Sequence, residues 1–227
     1  MKVLVTDAID LEGLKPLQKH SGIDLRYELS PKPEALERLL CGVGAWLVRS
    51  ETKVTAAWIA KAPDLRLIGR AGVGIDNIDM AAATLRGIAV INAPAANTIA
   101  ATEHTFGLML AIARNITQAD ADVKAGRWQR ALWMGTELHG KTLGIVGLGR
   151  IGREVAKRAA AFGMRIMAHD PFVSSEQAND MGVQLAPLKE LLGRSDFITL
   201  HAPGSDKTRH LINEETIGWI KPGARLI

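Results

Sequence analysis

Residues 141–170 read KTLGIVGLGRIGREVAKRAAAFGMRIMAHD, and this stretch decides how the rest of the chain is read. Thr142 to Val146 is a short apolar run of the kind a buried parallel strand uses, and it leads straight into Gly147-Leu148-Gly149-Arg150-Ile151-Gly152. That spacing is G-x-G-x-x-G. Gly147 would permit a sharp turn, Gly149 would let a phosphate approach the backbone, and Gly152 would let a helix lie close on the strand. Beyond the turn, Ile151, Val155, Ala159 and Phe162 recur at helical spacing. Gly163 would close that helix, and Arg165 to Ala168 begins a second strand that ends at Asp170.

The chemistry follows from the ends of these elements. A helix N-terminus carries unpaired N–H groups and roughly half an elementary positive charge, which suits a pyrophosphate. An acid at the end of the next strand, here Asp170, stands where adenosine ribose hydroxyls would be met. The expected cofactor is therefore NAD. A 2′-phosphate beside this carboxylate would meet like-charge repulsion of about 4 kcal/mol at an effective dielectric near 20. Pro171-Phe172 offers no Arg to offset it. A plain structural turn would explain the glycines alone, but not the strand, helix and acid around them.

Composition narrows the class. At 227 residues the chain has room for two modest domains, and 47% hydrophobic with only 4% aromatic content suits an aliphatic α/β protein. The net charge of +4 comes without a polybasic run, which fits anionic small molecules and not nucleic acid. No apolar run reaches bilayer-spanning length and no signal-peptide pattern opens the chain, so a soluble cytoplasmic protein is expected. No metal site is expected. The single Cys41 is expected to pack as a small apolar residue.

The first ninety-odd residues alternate strand-like runs with helix-like ones. Strands are expected at Lys2 to Thr6, Ile23 to Tyr27, Ala45 to Val48, Leu67 to Gly69 and Ala89 to Asn92. Helices fit Leu11 to Lys19, Pro33 to Leu40, Thr55 to Ala60 and Met80 to Arg86. This alternation predicts a parallel sheet covered by helices. Arg49 and Ser50 leave an apolar strand at its carboxyl end, where such sheets bind ligands, although a solvated loop is the plainer reading. The run from Gly69 through Arg70, Gly72 and Gly74 to Asn77 has the glycines of a backbone nest suited to a carboxylate. Asn92 to Thr98 is polar and contains Pro94, which predicts a boundary between domains 1–95 and 96–227.

From Ile99 to about Ala125 the pattern predicts one long helix, with Glu103 and His104 buried and hydrogen-bonded. Gly126 to Gly135 would be a loop with exposed aromatics, contacting a partner subunit or capping the core. Further helices fit Ser174 to Asp180, Leu188 to Leu192 and Asn213 to Ile220. Asp196 to Leu200 is a central strand ending at His201-Ala202-Pro203. His201 there is either a proton carrier or, more in keeping with its setting, a ring beside the dinucleotide with a backbone contact from Ala202.

These strings resemble the D-2-hydroxyacid dehydrogenases nearly end to end. The likeness is carried by Val48-Arg-Ser50, Gly69 to Asp79, Asn92-Ala-Pro94, Asn97-Thr98, Gly140 to Glu154, Ala161 to Met164, His169-Asp-Pro171, Ser195 to His201 and Lys221 to Ile227. Within the family it is strongest toward the branch that oxidises 3-phospho-D-glycerate to 3-phosphooxypyruvate, the entry to serine synthesis. The resemblance implies two doubly wound parallel-sheet domains: a flavodoxin-like substrate domain and a Rossmann NAD domain lacking its last strands. It implies that Arg150 and Ile151 meet the pyrophosphate, Asp170 the ribose, Ala202 with its neighbours His201 and Pro203 the adenosine side, and Val73 the nicotinamide end. Arg49, Ser50, Gly74 and Asn97 would contact a small 2-hydroxy acid, in the nest that Gly72 shares. Arg70 and Arg130 would add charge for its phosphate, Arg130 reaching across a homodimer or homotetramer.

In the family, a catalytic Arg, an acidic residue and a proton-accepting His follow the segment that matches Ala224 to Ile227. None of the three is present, so no catalytic residue is assigned. The chain is expected to be part of a longer protein, binding NAD without turning over alone. Ala131 and Leu132 also stand where relatives carry basic residues. That leaves room for a sibling that reduces glyoxylate or hydroxypyruvate, and, from another class, for an NAD-sensing co-repressor on the same scaffold.

Overall fold

The computed structural model describes residues 1–205 and 207–227. It divides into two compact units, Met1–Asn97 and Thr98–Ile227.

In the first unit β1 (Lys2–Val5), α1 (Leu11–Lys19), β2 (Asp24–Tyr27), α2 (Pro33–Leu39), β3 (Val43–Val48), α3 (Ala56–Ala60), β4 (Leu67–Arg70), α4 (Met80–Leu85) and β5 (Ala89–Asn92) alternate along the chain. The strands pair in parallel in the order β2-β1-β3-β4-β5, the flavodoxin-like winding. Alternate strand residues turn to opposite faces, so Leu4, Trp46, Val48 and Ile68 share one buried layer with Leu36 of α2, Ile59 of α3 and Ala83 of α4. Leu14 of α1 is likewise buried. Trp46 is fully buried, and its ring N–H donates to Thr6 Oγ1 at 2.9 Å, so its one polar side-chain atom is satisfied.

The second unit opens with α5 (Thr98–Arg114), α6 (Ile116–Lys124) and a 3-10 turn at Arg130–Trp133. There follow β6 (Thr142–Val146), α7 (Arg150–Ala161), β7 (Arg165–His169), α8 (Ser175–Asn179), β8 (Gln184–Leu185), α9 (Leu188–Arg194), β9 (Phe197–Leu200), α10 (Glu214–Ile217) and β10 (Arg225–Leu226). The parallel order β10-β9-β6-β7-β8 is that of a Rossmann sheet up to its fifth strand. Helices cover both faces. Leu143, Ile145 and Phe197 pack with Met109 of α5 and Val155 and Ala159 of α7. Val146, Met167 and Ile198 pack with Leu191 and Leu192 of α9. Phe106 of α5 stacks on Phe162 at the end of α7, ring centroids 5.3 Å apart.

Three expectations are corrected. The long helix breaks at Asn115, which takes a left-handed backbone (φ 52°) and separates α5 from α6. Asn tolerates that region better than most residues, and its Nδ2 donates to Met134 O at 3.2 Å. Glu103 and His104 are exposed, because the buried face of α5 is Thr102, Thr105, Phe106, Met109 and Ala113, and these two fall on the opposite side. Cys41 is exposed as well, in the turn between α2 and β3, where its carbonyl accepts from Lys2 Nζ at 2.7 Å.

Candidate active site

In a doubly wound sheet, ligands are met where the strand order reverses, outside the carboxyl ends of two strands that diverge in topology. In the second unit those strands are β6 and β9, and the glycine turn and His201 stand at their ends. Gly147 adopts φ +93°, and a Cβ there would lie 2.7 Å from the backbone of His201 and Ala202. Only glycine lets these two segments pass. A Cβ on Gly152 would stand 2.1 Å from Gly147 O, so α7 starts hard against the turn. Gly149 differs, since nothing lies within 4 Å of where its Cβ would be. It is the N-cap of α7 and brings no side-chain cap to the helix. Arg150 and Ile151 form the first turn behind it.

Asp170 closes the arrangement from β7. Its Oδ2 accepts from Leu148 N at 2.7 Å and its Oδ1 from Phe172 N at 2.8 Å. A dinucleotide fits this set: open space and a helix start without a side-chain cap for the diphosphate, and a fixed, half-buried carboxylate one strand away for ribose hydroxyls. When bound, NAD supplies the hydride acceptor.

His201 N–H donates to Val146 O at 2.7 Å, and its ring Nε2 lies 2.9 Å from Thr199 Oγ1. Burial pushes the imidazole below its ordinary value, so the ring is neutral near pH 7. A neutral ring occupied by Thr199 suits a wall of the site better than a proton carrier. Ala202 is half-buried and Pro203 exposed.

In the first unit the reversal lies between β1 and β3, and Asp7 and Arg49 follow those strands. Arg49 and Ser50 are exposed. Asn77 Nδ2 donates to both Arg49 O and Thr52 O at 2.7 Å, which laces the Arg49 turn to the glycine-rich segment. Within that segment Gly72 O accepts from Ala93 N at 2.9 Å and Val73 O from Asn92 Nδ2 at 2.6 Å, with Gly74 exposed next to them. Arg70 ends β4 with its guanidinium folded over Gly72, whose Cβ would stand 2.3 Å from Nη1. Its Nε is buried without a hydrogen-bond partner.

Asn97 and Arg130 complete the expected set. Asn97 is exposed at the end of the first unit. Arg130 is exposed in the 3-10 turn of the second, on a loop anchored by Asp122, which accepts from Arg127 Nε at 2.9 Å and Trp133 Nε1 at 2.7 Å. Asp7, Thr52 and the side chain of Asn77 have parts here that no sequence motif assigns. An acid directly after a strand of the first unit is the one available signal.

Comparison with known proteins agrees with this geometry. Residues 106–227 match the model of the D-isomer specific 2-hydroxyacid dehydrogenase NAD binding domain. Across its full length the chain is 50% identical to D-3-phosphoglycerate dehydrogenase of Methanocaldococcus jannaschii, of which it spans 43%. Among solved structures, the TT0316 protein of Thermus thermophilus superposes over the whole chain at TM-score 0.90 and 34% identity, with 72% of that protein covered. D-lactate dehydrogenase of Aquifex aeolicus, solved with NAD and lactic acid, gives 0.90 and 30%, with 68% covered. The chain spans about two fifths of the length of the curated relatives it matches. An acid-ended glycine turn on a Rossmann sheet, continuous in sequence with the NAD binding domain of these enzymes, makes this chain a member of the D-isomer specific 2-hydroxyacid dehydrogenase family.

Proposed function

We propose that the protein oxidises 3-phospho-D-glycerate to 3-phosphooxypyruvate with NAD, the hydride leaving C2 and the hydroxyl proton passing to a base. The observation that carries this reading is the end-to-end likeness to a D-3-phosphoglycerate dehydrogenase, 50% identical over the full chain. Residues 98–227 hold the dinucleotide through Gly147, Gly149, Arg150, Ile151, Gly152 and Asp170, with His201, Ala202 and Pro203 as its wall. Residues 1–97 hold the acid. Arg49, Ser50, Gly72 and Gly74 meet the carboxylate and hydroxyl, with Asn97 beside them and Val73 toward the nicotinamide. Arg70 carries a buried N–H that lacks a protein partner, and with Arg130 it supplies charge for the phosphate. Ile99, Leu108, Ile112 and Ile116 are exposed along α5 and the start of α6, which supports a homodimer through residues 99–135.

The second reading is a sibling acting on an unphosphorylated 2-hydroxy acid. It is favoured by Ala131 and Leu132, which follow Arg130 and are exposed without charge. Titrating 3-phospho-D-glycerate, D-lactate and D-glycerate in the presence of NADH separates the two. The phosphorylated acid is expected to bind at least about tenfold more tightly. Equal affinities would favour the sibling, and failure to bind NADH would overturn both.

A further inference from the structure

We infer that Asp7 and Asn77 are positioning residues, which hold Arg49 in the posture that receives the substrate carboxylate without touching substrate themselves. The inference rests on the reading of Arg49 as a substrate contact.

The Arg49–Thr52 turn is held by side chains at both of its ends. Asp7 Oδ2 accepts from Arg49 N at 2.6 Å and from Thr52 N at 3.1 Å, while its Oδ1 takes the Thr52 hydroxyl. Asn77 Nδ2 donates to the backbone carbonyls of the same two residues. Arg49 Nη1 donates to Ala8 O at 3.0 Å, so the residue after Asp7 steadies the guanidinium as well. Asp7 is 1% exposed, which rules out direct contact with a ligand. Burying a carboxylate is costly unless its oxygens are occupied, and the three groups that occupy those of Asp7 belong to the turn, not to the strands. The Thr52 hydroxyl that Asp7 holds also reaches Thr6 Oγ1 at 3.0 Å, the atom that accepts from the buried Trp46 Nε1, so melting temperature is read on every variant. Asn77 extends the hold, because it also lies in the segment that carries Gly72 and Gly74. Its backbone carbonyl accepts from Val54 N at 2.8 Å, a second tie between the chain just past the Arg49 turn and the glycine segment.

The two roles Asp7 could have, charge or acceptor, part company on substitution. In Asp7→Asn one amide oxygen can still accept both N–H groups, since both go to Oδ2, and the amide nitrogen can donate to Thr52 Oγ1. Asp7→Ala abandons all three. Asn77→Asp keeps the size but replaces the donor by an oxygen facing two carbonyls.

The experiment titrates 3-phospho-D-glycerate calorimetrically into wild type, Asp7→Ala, Asp7→Asn, Asn77→Asp and Arg49→Ala, with NADH affinity and melting temperature read on each. Asp7→Ala and Asn77→Asp are expected to weaken the acid about tenfold or more, with Asp7→Asn within about threefold of wild type and NADH binding within about twofold. Wild-type affinity in a folded Asp7→Ala or Asn77→Asp, or an Asp7→Asn as weak as Asp7→Ala, would overturn the inference. Unfolding of both Asp7→Ala and Asn77→Asp would do the same, by making the two residues supports of the fold. If Arg49→Ala itself binds the acid normally, the substrate reading fails first. If Arg49→Ala weakens binding and the other variants do not, only the positioning role falls.

Discussion

Asp170 Oδ2 receives the N–H of Leu148 at 2.7 Å, so the carboxylate that follows β7 is fastened to the glycine turn that follows β6. On the proposed reading, one side chain both shapes the diphosphate site and meets the ribose. Removing it should affect both. Asp170→Ala is expected to weaken NADH by about tenfold, through the lost turn anchor and the lost ribose acceptor, and to weaken NADPH less because a repelling charge is gone. Asp170→Asn keeps an acceptor for Leu148 and should lose less NADH affinity while also relaxing the discrimination. Fluorescence titration with both nucleotides checks this. An unchanged NADH to NADPH ratio in Asp170→Ala would refute it.

The two later glycines of the turn should separate folding from binding. In Gly152→Ala the new methyl group would stand 2.1 Å from Gly147 O, a backbone atom, so either α7 or the turn must move. A loss of about 1–3 kcal/mol in unfolding free energy is expected, together with a loss of NADH affinity. Gly149→Ala meets nothing within 4 Å and sits at φ −75°, open to any L residue. Its methyl group intrudes only on space for the diphosphate. Urea denaturation should therefore show near-normal stability for Gly149→Ala with impaired NADH binding.

Local signals make much of the fold readable. The strand at residues 142–146, the helix behind it and the terminal glycine and acid agree across four independent rules, and each element lies within a residue or two of its expected bounds. The α5–α6 segment defeats the same approach because periodicity is blind to a single left-handed residue: Asn115 changes the helix direction without interrupting the apolar pattern. Glu103 and His104 escape it for a related reason. The segment is apolar nearly all round, so its Ala- and Thr-rich buried side and its Ile- and Leu-bearing exposed side are hard to tell apart. At the site, residues within a motif are legible, whereas Asp7 and the side chain of Asn77 are not. Their partners are 42 and 28 residues away in sequence, and only the pairing of β1 with β3 brings Asp7 to the Arg49 turn.

His201 gives a pH dependence whose sign is fixed by burial. Its folded value lies below the ordinary value of about 6.5, so the unfolded chain binds a proton that the folded one refuses between the two. Stability rises with pH through that window, and it falls as pH drops from 6.5 toward the folded value. His201→Gln removes this contribution while leaving a side chain that can still pair with Thr199. Denaturant melts on both sides of the ordinary value should show a shallower slope for the variant immediately below 6.5. A slope identical to wild type would place the titrating group elsewhere.

Asp196 behaves in the opposite sense and at the opposite edge of the same sheet. It precedes β9, accepts from Thr142 N at the start of β6 at 2.9 Å, and pairs with Lys221 Nζ, ahead of β10, at 2.6 Å. Burial alone would raise the carboxyl, but the Lys221 ion pair and the Thr142 N–H outweigh it and hold it below its ordinary value of 3.8. Its contribution to stability is therefore present above 3.8 and lost as pH falls through the depressed value. Lys221 is 44% exposed, so screening limits the pair, and Lys221→Met is expected to cost only about 0.5–1 kcal/mol near pH 7. The stronger effect is a shift in the acid limb. Without the ammonium, burial is less opposed, the carboxyl titrates higher, and acid unfolding begins at higher pH. Because the cluster sits at the amino ends of the strands and the glycine turn at their carboxyl ends, NADH affinity should remain at the wild-type level. Acid melts of Lys221→Met alongside NADH titration test both halves, and weakened NADH binding would show that the two ends of the sheet are coupled.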